Sequence, residues 1–121
     1  MIDIQLTDSS PKVFYNDSDK TLLIEGESYP ENSFDFYKPV FQWFDNIFPE
    51  LDNFNFHLKI NYMNSSSVKC LLDIFSIIEN AYSSGMKIQV KWFYEKDNSR
   101  ALEMAEEFKE DAGFPFEIIE S

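Results

Sequence analysis

The sequence predicts a two-layer α/β domain, a mixed sheet of about five strands with three helices on one face, in the order β-β-α-β-α-β-α-β. Three observations carry that prediction. Residues 54–62 and 87–94 each alternate apolar and polar side chains, the period of a strand with one buried and one wetter face. Apolar residues recur at helical spacing over 66–82 and 99–112. Hydrophobic residues are 44% of the 121-residue chain and aromatics 17%, with 13 Phe, so one ring-rich core serves a single domain over 1–121.

Residues 1–10 are polar and are expected to be flexible. Val13-Phe14-Tyr15 and Thr21-Leu22-Leu23-Ile24-Glu25 flank Asn16-Asp17-Ser18-Asp19, the pattern of a β-hairpin. A loop follows over 26–33, stiffened by Pro30. Residues 33–48 read as a helix with Tyr37, Val40, Phe44 and Ile47 on one face. Pro39 fits if the regular helix begins near it, and Pro49 stops the element. The strand over 54–62 puts His57 on its polar face. The helix over 66–82 shows an apolar stripe of Val68, Leu71, Leu72, Phe75, Ile78 and Tyr82, with Cys70 at its margin and Gly85 as the turn after it. After the strand over 87–94, Asp97, Asn98 and Ser99 compete to cap a helix over 99–112 whose Ala101, Ala105, Phe108 and Ala112 point inward. Gly113 and Pro115 close that helix before a final strand at 116–119. Right-handed crossovers put the helices on one side and leave the other face to solvent or a partner.

Lys+Arg number 10 against 22 Asp+Glu, a formal net charge of -12. Such a surface repels phosphate backbones and anionic lipid, so nucleic acid and membrane are not expected partners, whereas a protein with a basic patch is. One Cys and one His make neither a disulfide nor a metal cluster, and no metal or cofactor is expected. No signal peptide or membrane span is evident, which points to the cytoplasm. A catalytic constellation is also missing. The three Gly are too scattered for a phosphate loop. No Gly-x-Ser-x-Gly elbow exists. The pairs Glu106-Glu107 and Glu110-Asp111 read as the solvated face of a helix. The chain therefore reads as a non-enzyme; the enzymatic rival is a small enzyme using Cys70 or His57.

One segment invites a mechanism. Asn64-Ser65-Ser66-Ser67 stands between a strand and a helix start. Asn and Ser side chains there cap the free N–H groups of the helix. The same N–H groups, with the helix dipole, also welcome a phosphate.

The neighbouring segments weigh toward the phosphate. Gly26-Glu27-Ser28-Tyr29-Pro30-Glu31-Asn32 resembles the Gly-x-Ser-x-Pro-Glu-Asn loop of the SiaC-type regulatory phosphoproteins. Tyr62-Met63-Asn64-Ser65-Ser66-Ser67-Val68-Lys69 resembles that family's Tyr-x-Asn-Thr/Ser-Ser-Ser-x-Lys segment. Trp92-Phe93-Tyr94, Ala105-Glu106-Glu107-Phe108-Lys109-Glu110-Asp111 and Phe114-Pro115-Phe116 are similar to its last strand, helix and end.

The resemblance implies a STAS-like architecture and the logic of STAS-type anti-sigma-factor antagonists. A Ser or Thr at a helix start is phosphorylated by a protein kinase and restored by a PP2C-like phosphatase. The unphosphorylated form is expected to bind and activate an effector, a diguanylate cyclase, favouring biofilm or aggregation through cyclic di-GMP, and phosphorylation to release it. The acceptor falls on Ser65, with Ser66 and Ser67 as alternatives; partner contacts fall on Tyr29, Glu31, Asn64, Ser65, Ser66 and Lys69. The 28–32 loop has two open readings: an anchor for the partner, or a rigid connector in which Asn32 or Ser33 caps the first helix. Ser67 stands where STAS antagonists usually place Gly, which leaves an anti-sigma-factor antagonist as the second reading.

Overall fold

The computed structural model describes residues 2–121. One mixed sheet holds six strands in sequence order: β1 Asp3–Ile4, β2 Lys12–Asn16, β3 Thr21–Ser28, β4 Asn53–Met63, β5 Lys87–Tyr94 and β6 Phe116–Glu120. The pairs β1–β2 and β2–β3 are antiparallel; β3 to β6 run parallel. Parallel neighbours need crossovers, which are α1 Ser33–Asn46, α2 Ser65–Ser83 and α3 Ser99–Glu110. The expected order holds with one strand more. Ile2 is buried and Ile4 pairs with Val13, so the start of the chain forms an edge strand where a flexible lead is expected. Ile2 and Ile4 are the apolar side chains of this stretch that pack against the core.

Tyr15, Leu22, Phe56, Val90 and Phe116 lie in register across the sheet and are all buried. The helices meet this face through rings. Trp43 of α1 lies 4.8 Å from Tyr15, Phe75 of α2 5.8 Å from Phe56, and Phe108 of α3 is stacked 5.5 Å from Trp92. All three helices therefore cover one face, as the crossover rule predicts. On the other face Asn55, His57 and Lys59 of β4 are half-buried.

The helices depart from the sequence reading in phase and start. Helix α1 begins at Ser33, not near Pro39, which lies inside it. Pro39 is on the exposed side, where water can serve the carbonyl one turn back that proline cannot. Ile47, expected inward, is 38% exposed, and Trp43 takes the inner position. The helix ends at Asn46, two residues short of the expected Phe48, and Pro49 lies in a separate 3-10 turn, Phe48–Glu50. In α2, Leu72 and Tyr82 are exposed, and the buried set is Ser67, Cys70, Leu71, Ile74, Phe75 and Ile78. Two apolar phases overlap in this helix; the expected one is interrupted at Glu79, and the one through Cys70, Leu71, Ile74, Phe75 and Ile78 is the one that packs.

A bulge decides where the strands deliver the site. Gly26 pairs with Ile60 but Glu27 pairs with Tyr62, so Asn61 is the extra residue. Gly26 takes φ 127°, a conformation that side chains resist. The slip reverses the alternation of β4. Tyr62, expected inward, faces solvent, and Met63 turns into the core. The ends of β3 and β4 are then clamped by the Asn64 N–H donating to the Ser28 carbonyl at 2.9 Å.

Candidate regulatory phosphorylation site

Asn64 is the N-cap of α2, its side-chain oxygen accepting from the Ser67 N–H at 2.9 Å. Asn32 and Asn98 cap α1 and α3 in the same way, at 3.2 Å from the Asp35 N–H and 3.0 Å from the Ala101 N–H. This settles the choice between Asn32 and Ser33, and among Asp97, Asn98 and Ser99. It also frees the serines for other tasks.

The three serines of the segment divide. Ser67 is fully buried and accepts from the Ser28 hydroxyl at 2.8 Å. Ser66 is half-buried and donates to the Ser33 hydroxyl at 2.9 Å; it does not act as a second cap. Ser65 is exposed, and its hydroxyl makes no hydrogen bond among the described residues. Lys69, also exposed, lies one turn along the same helix face. The first turn of α2 carries no acidic residue to offset its positive end.

Behind Ser66 and Ser67 the hydroxyls form a chain. Tyr37 Oη lies 2.6 Å from Ser28 Oγ, Ser67 Oγ 3.1 Å from Ser33 Oγ, and Ser33 donates to Asn64 Oδ1 at 3.3 Å. A hydroxyl has one proton to give. With the Ser28 proton on Ser67, the order becomes Tyr37 to Ser28 to Ser67 to Ser33 to Asn64. Burial pushes the Tyr37 phenol up to about 12, so it stays a donor near neutral pH. Ser28, Ser33, Ser67 and Tyr37 are all buried, and the chain satisfies them while joining the starts of α1 and α2.

Outside this chain, Tyr29 and Tyr62 are exposed with their rings edge-on at 5.8 Å, and Phe34 is 52% exposed. Glu31 is exposed as well. The structure thus brings Tyr29, Asn64, Ser65 and Ser66 together around the β3–β4 clamp, one helical turn from Lys69. Sequence reasoning missed Ser33, Tyr37 and Tyr62. A signal existed for the first two, since paired hydroxyls at two helix starts need partners once buried. None existed for Tyr62, which only the bulge turns outward.

The residues of the enzymatic rival are apart. Cys70 is buried on the inner side of α2, and burial, then Asp73, pushes its thiol pKa up, away from the reactive thiolate. His57 is on the other face of the sheet, 5.4 Å from the Phe93 ring, with its pKa lowered by burial and by Lys91. Among the described residues no group of three or more His, Cys, Asp or Glu side chains is placed to hold a metal ion, and no helix is long and apolar enough to cross a membrane. A cleft of ≈ 640 Å³ opens between the far ends of α1 and α2, lined by Phe44, Phe48, Ile77 and Met86 among others.

A helix-start serine with an unengaged hydroxyl thus stands on a capped helix, beside exposed tyrosines and at the opposite end of the α1–α2 pair from the cleft. The chain belongs to the SiaC family, since the model of the SiaC family regulatory phosphoprotein matches residues 4–121. An uncharacterized protein of Pseudomonas aeruginosa (strain UCBPP-PA14) is 34% identical over 113 residues, 93% of this chain and 90% of its own length. Among solved structures, the chain is similar to one in the crystal structure of the diguanylate cyclase SiaD in complex with its activator SiaC from Pseudomonas aeruginosa, with a TM-score of 0.94, 33% identity and 100% of both chains covered. It is also similar to apo-SiaC of that organism, with a TM-score of 0.89, 33% identity, and 98% and 97% of the two chains covered.

Proposed function

We propose that this protein is a cytoplasmic, non-enzymatic partner-switching regulator whose unphosphorylated form binds and activates a diguanylate cyclase. Phosphorylation of Ser65 by a protein kinase releases the cyclase, and a PP2C-like phosphatase resets the switch. The output is cyclic di-GMP and, through it, aggregation or biofilm growth. The observation that carries this reading is the division among the three serines, in which Ser65 alone offers an exposed, unengaged hydroxyl. The likeness to a chain of the SiaD–SiaC complex supports the choice of effector.

The physics of the switch is an asymmetry between fold and interface. A phosphate on Ser65 adds about -1.5 to -2 charges at pH 7. Within the domain the start of α2 and Lys69 can accommodate that charge. A partner packed on a neutral hydroxyl would have to desolvate the phosphate without a matching cation, which is costly. Tyr29, Tyr62 and Phe34 supply rings for the contact, with Glu31 at its rim.

Calorimetric titration of a diguanylate cyclase from the same cell tests this. Ser65→Ala should bind and activate like the unmodified protein. Ser65→Glu should bind at least about tenfold more weakly, ~1.4 kcal/mol, with an unchanged circular dichroism spectrum. Equal affinities for the two variants would remove Ser65 from the switch.

A further inference from the structure

We infer that Ser33 is a specificity-determining residue that helps confine phosphoryl transfer to Ser65 by withholding the adjacent hydroxyl of Ser66. The inference rests on the reading of Ser65 as the acceptor and adds the reason why its neighbours are spared. Three consecutive serines present a kinase with three chemically equal nucleophiles. In the transfer, one serine Oγ forms a bond to the γ-phosphorus of a nucleoside triphosphate, the bond to the departing diphosphate breaks, and the hydroxyl proton passes to a base of the kinase. The acceptor oxygen must therefore be reachable, and its proton must be free to leave.

Ser67 fails on reach, because it is fully buried. Ser66 is only half-buried, and its proton is held by Ser33 Oγ at 2.9 Å, with Asn64 Oδ1 as a longer second acceptor at 3.3 Å. Ser33 is the one hydroxyl that meets Ser66, Ser67 and the cap Asn64 together, at 2.9, 3.1 and 3.3 Å. It is itself 2% exposed and held at the first position of α1, so the kinase cannot use it instead. Ser28 and Tyr37 fix it from behind through Ser67. Register along the segment thus depends on a residue far from it in sequence.

The test is phosphopeptide mapping of the full chain, expressed from its own locus and purified from its own cell, in four forms. The unmodified chain should carry phosphate on Ser65. Ser33→Ala should raise the ratio of Ser66 to Ser65 phosphopeptide about fivefold, the factor that loss of one ordinary hydrogen bond gives. Ser33→Thr, which keeps the hydroxyl, should restore Ser65 alone. Val40→Ala, a core truncation on the same helix with no hydroxyl contact, should destabilise the domain without moving the phosphate. If Ser33→Ala does not accumulate as folded protein, Ser33→Cys, of similar size and a weak acceptor, takes its place. An unchanged ratio in the Ala or Cys variant overturns the role of Ser33 and leaves Ser65 as the switch. A shift in Val40→Ala also overturns it, because general loosening would then suffice. Phosphate on Ser66, or on none of the three serines, in the unmodified chain overturns the reading of Ser65 itself.

Discussion

The two ends of the α1–α2 pair are built from opposite materials. At their starts the helices meet through hydroxyls, with Ser33, Ser66 and Ser67 at 2.9 to 3.1 Å and Tyr37 and Ser28 behind them. At their far ends they meet through Phe44, Phe48, Leu51, Ile77 and Met86 around an open cleft of ≈ 640 Å³. Directional bonds hold the first end and contact area holds the second. The aromatic end supplies stability in bulk, because ring burial is worth kilocalories regardless of small shifts in angle. The hydroxyl end supplies definition, because each group has one proton to place. On the proposed reading the site lies at the hydroxyl end and not at the cleft, since a switch read by a partner needs one defined, exposed group rather than a cavity.

The contrast predicts unequal costs. Phe54 is 1% exposed and touches the rings of Trp43, Phe44, Phe48 and Phe56 at 4.9 to 6.0 Å. Phe54→Ala should lose ~3–5 kcal/mol in denaturant unfolding. A loss below ~1.5 kcal/mol would show that the aromatic end relaxes around the cavity and is not what holds the sheet to its helices. Ser67→Ala removes few atoms yet strands the Ser28 proton and takes a donor from Ser33, so ~1–3 kcal/mol is expected. The double variant Ser28→Ala/Ser67→Ala should cost clearly less than the sum of the two single changes. Additive costs would mean that the hydroxyls do not act as one chain.

Much of the aromatic end is legible in the sequence, whereas little of the hydroxyl end is. Alternation over 54–60 assigns Phe54, Phe56, Leu58 and Ile60 to the core, and all four are buried. Caps are legible to within a few candidates, and the structure takes Asn each time. Ser65 stands out because of a motif, but its isolation from Ser66 and Ser67 depends on Ser28, Ser33 and Tyr37, which reach it only through tertiary contact. The bulge at Gly26 and Asn61 is hidden for the same reason. Register belongs to a pair of strands, and neither strand alone declares the slip. The misassignment of Ile47 and Leu72 has a different cause. In α1 and α2 more residues are apolar than one face can bury, so periodicity allows two phases.

Within the proposed switch segment the contrast narrows to neighbouring residues. Asn64→Ala removes the cap and an acceptor of Ser33, and should cost ~1 kcal/mol or somewhat more. Ser65→Ala should stay within ~0.5 kcal/mol of the original, as expected for an exposed side chain that makes no hydrogen bond among the described residues. Thermal unfolding of both variants measures the gap. A Ser65→Ala cost equal to that of Asn64→Ala would make Ser65 part of the cap and weaken its assignment as a free acceptor.

The smallest effect is expected on the face of the sheet away from both ends. His57 pairs in register with Lys91, and its pKa is lowered by burial first and by that lysine second. The sign follows from proton uptake. As pH falls through about 6.5, the unfolded chain protonates this histidine while the folded chain still holds it neutral. The unfolded state then binds more protons, so this histidine's contribution to stability is present above about pH 6.5 and is lost toward the lower folded value. The excess of 22 Asp and Glu over 10 Lys and Arg acts in the opposite direction, because partial protonation of carboxylates relieves their mutual repulsion. A single pH profile mixes the two trends, and the difference between variants separates them. Melting temperatures from about pH 7.5 down to about 5 should fall more steeply for the original chain than for His57→Gln. Lys91→Gln should lie between them, since it removes the second cause and leaves the first. Parallel profiles for all three would mean that solvent reaches the His57 ring freely enough to cancel its burial, and that this face of the sheet is wetter than its half-buried side chains indicate.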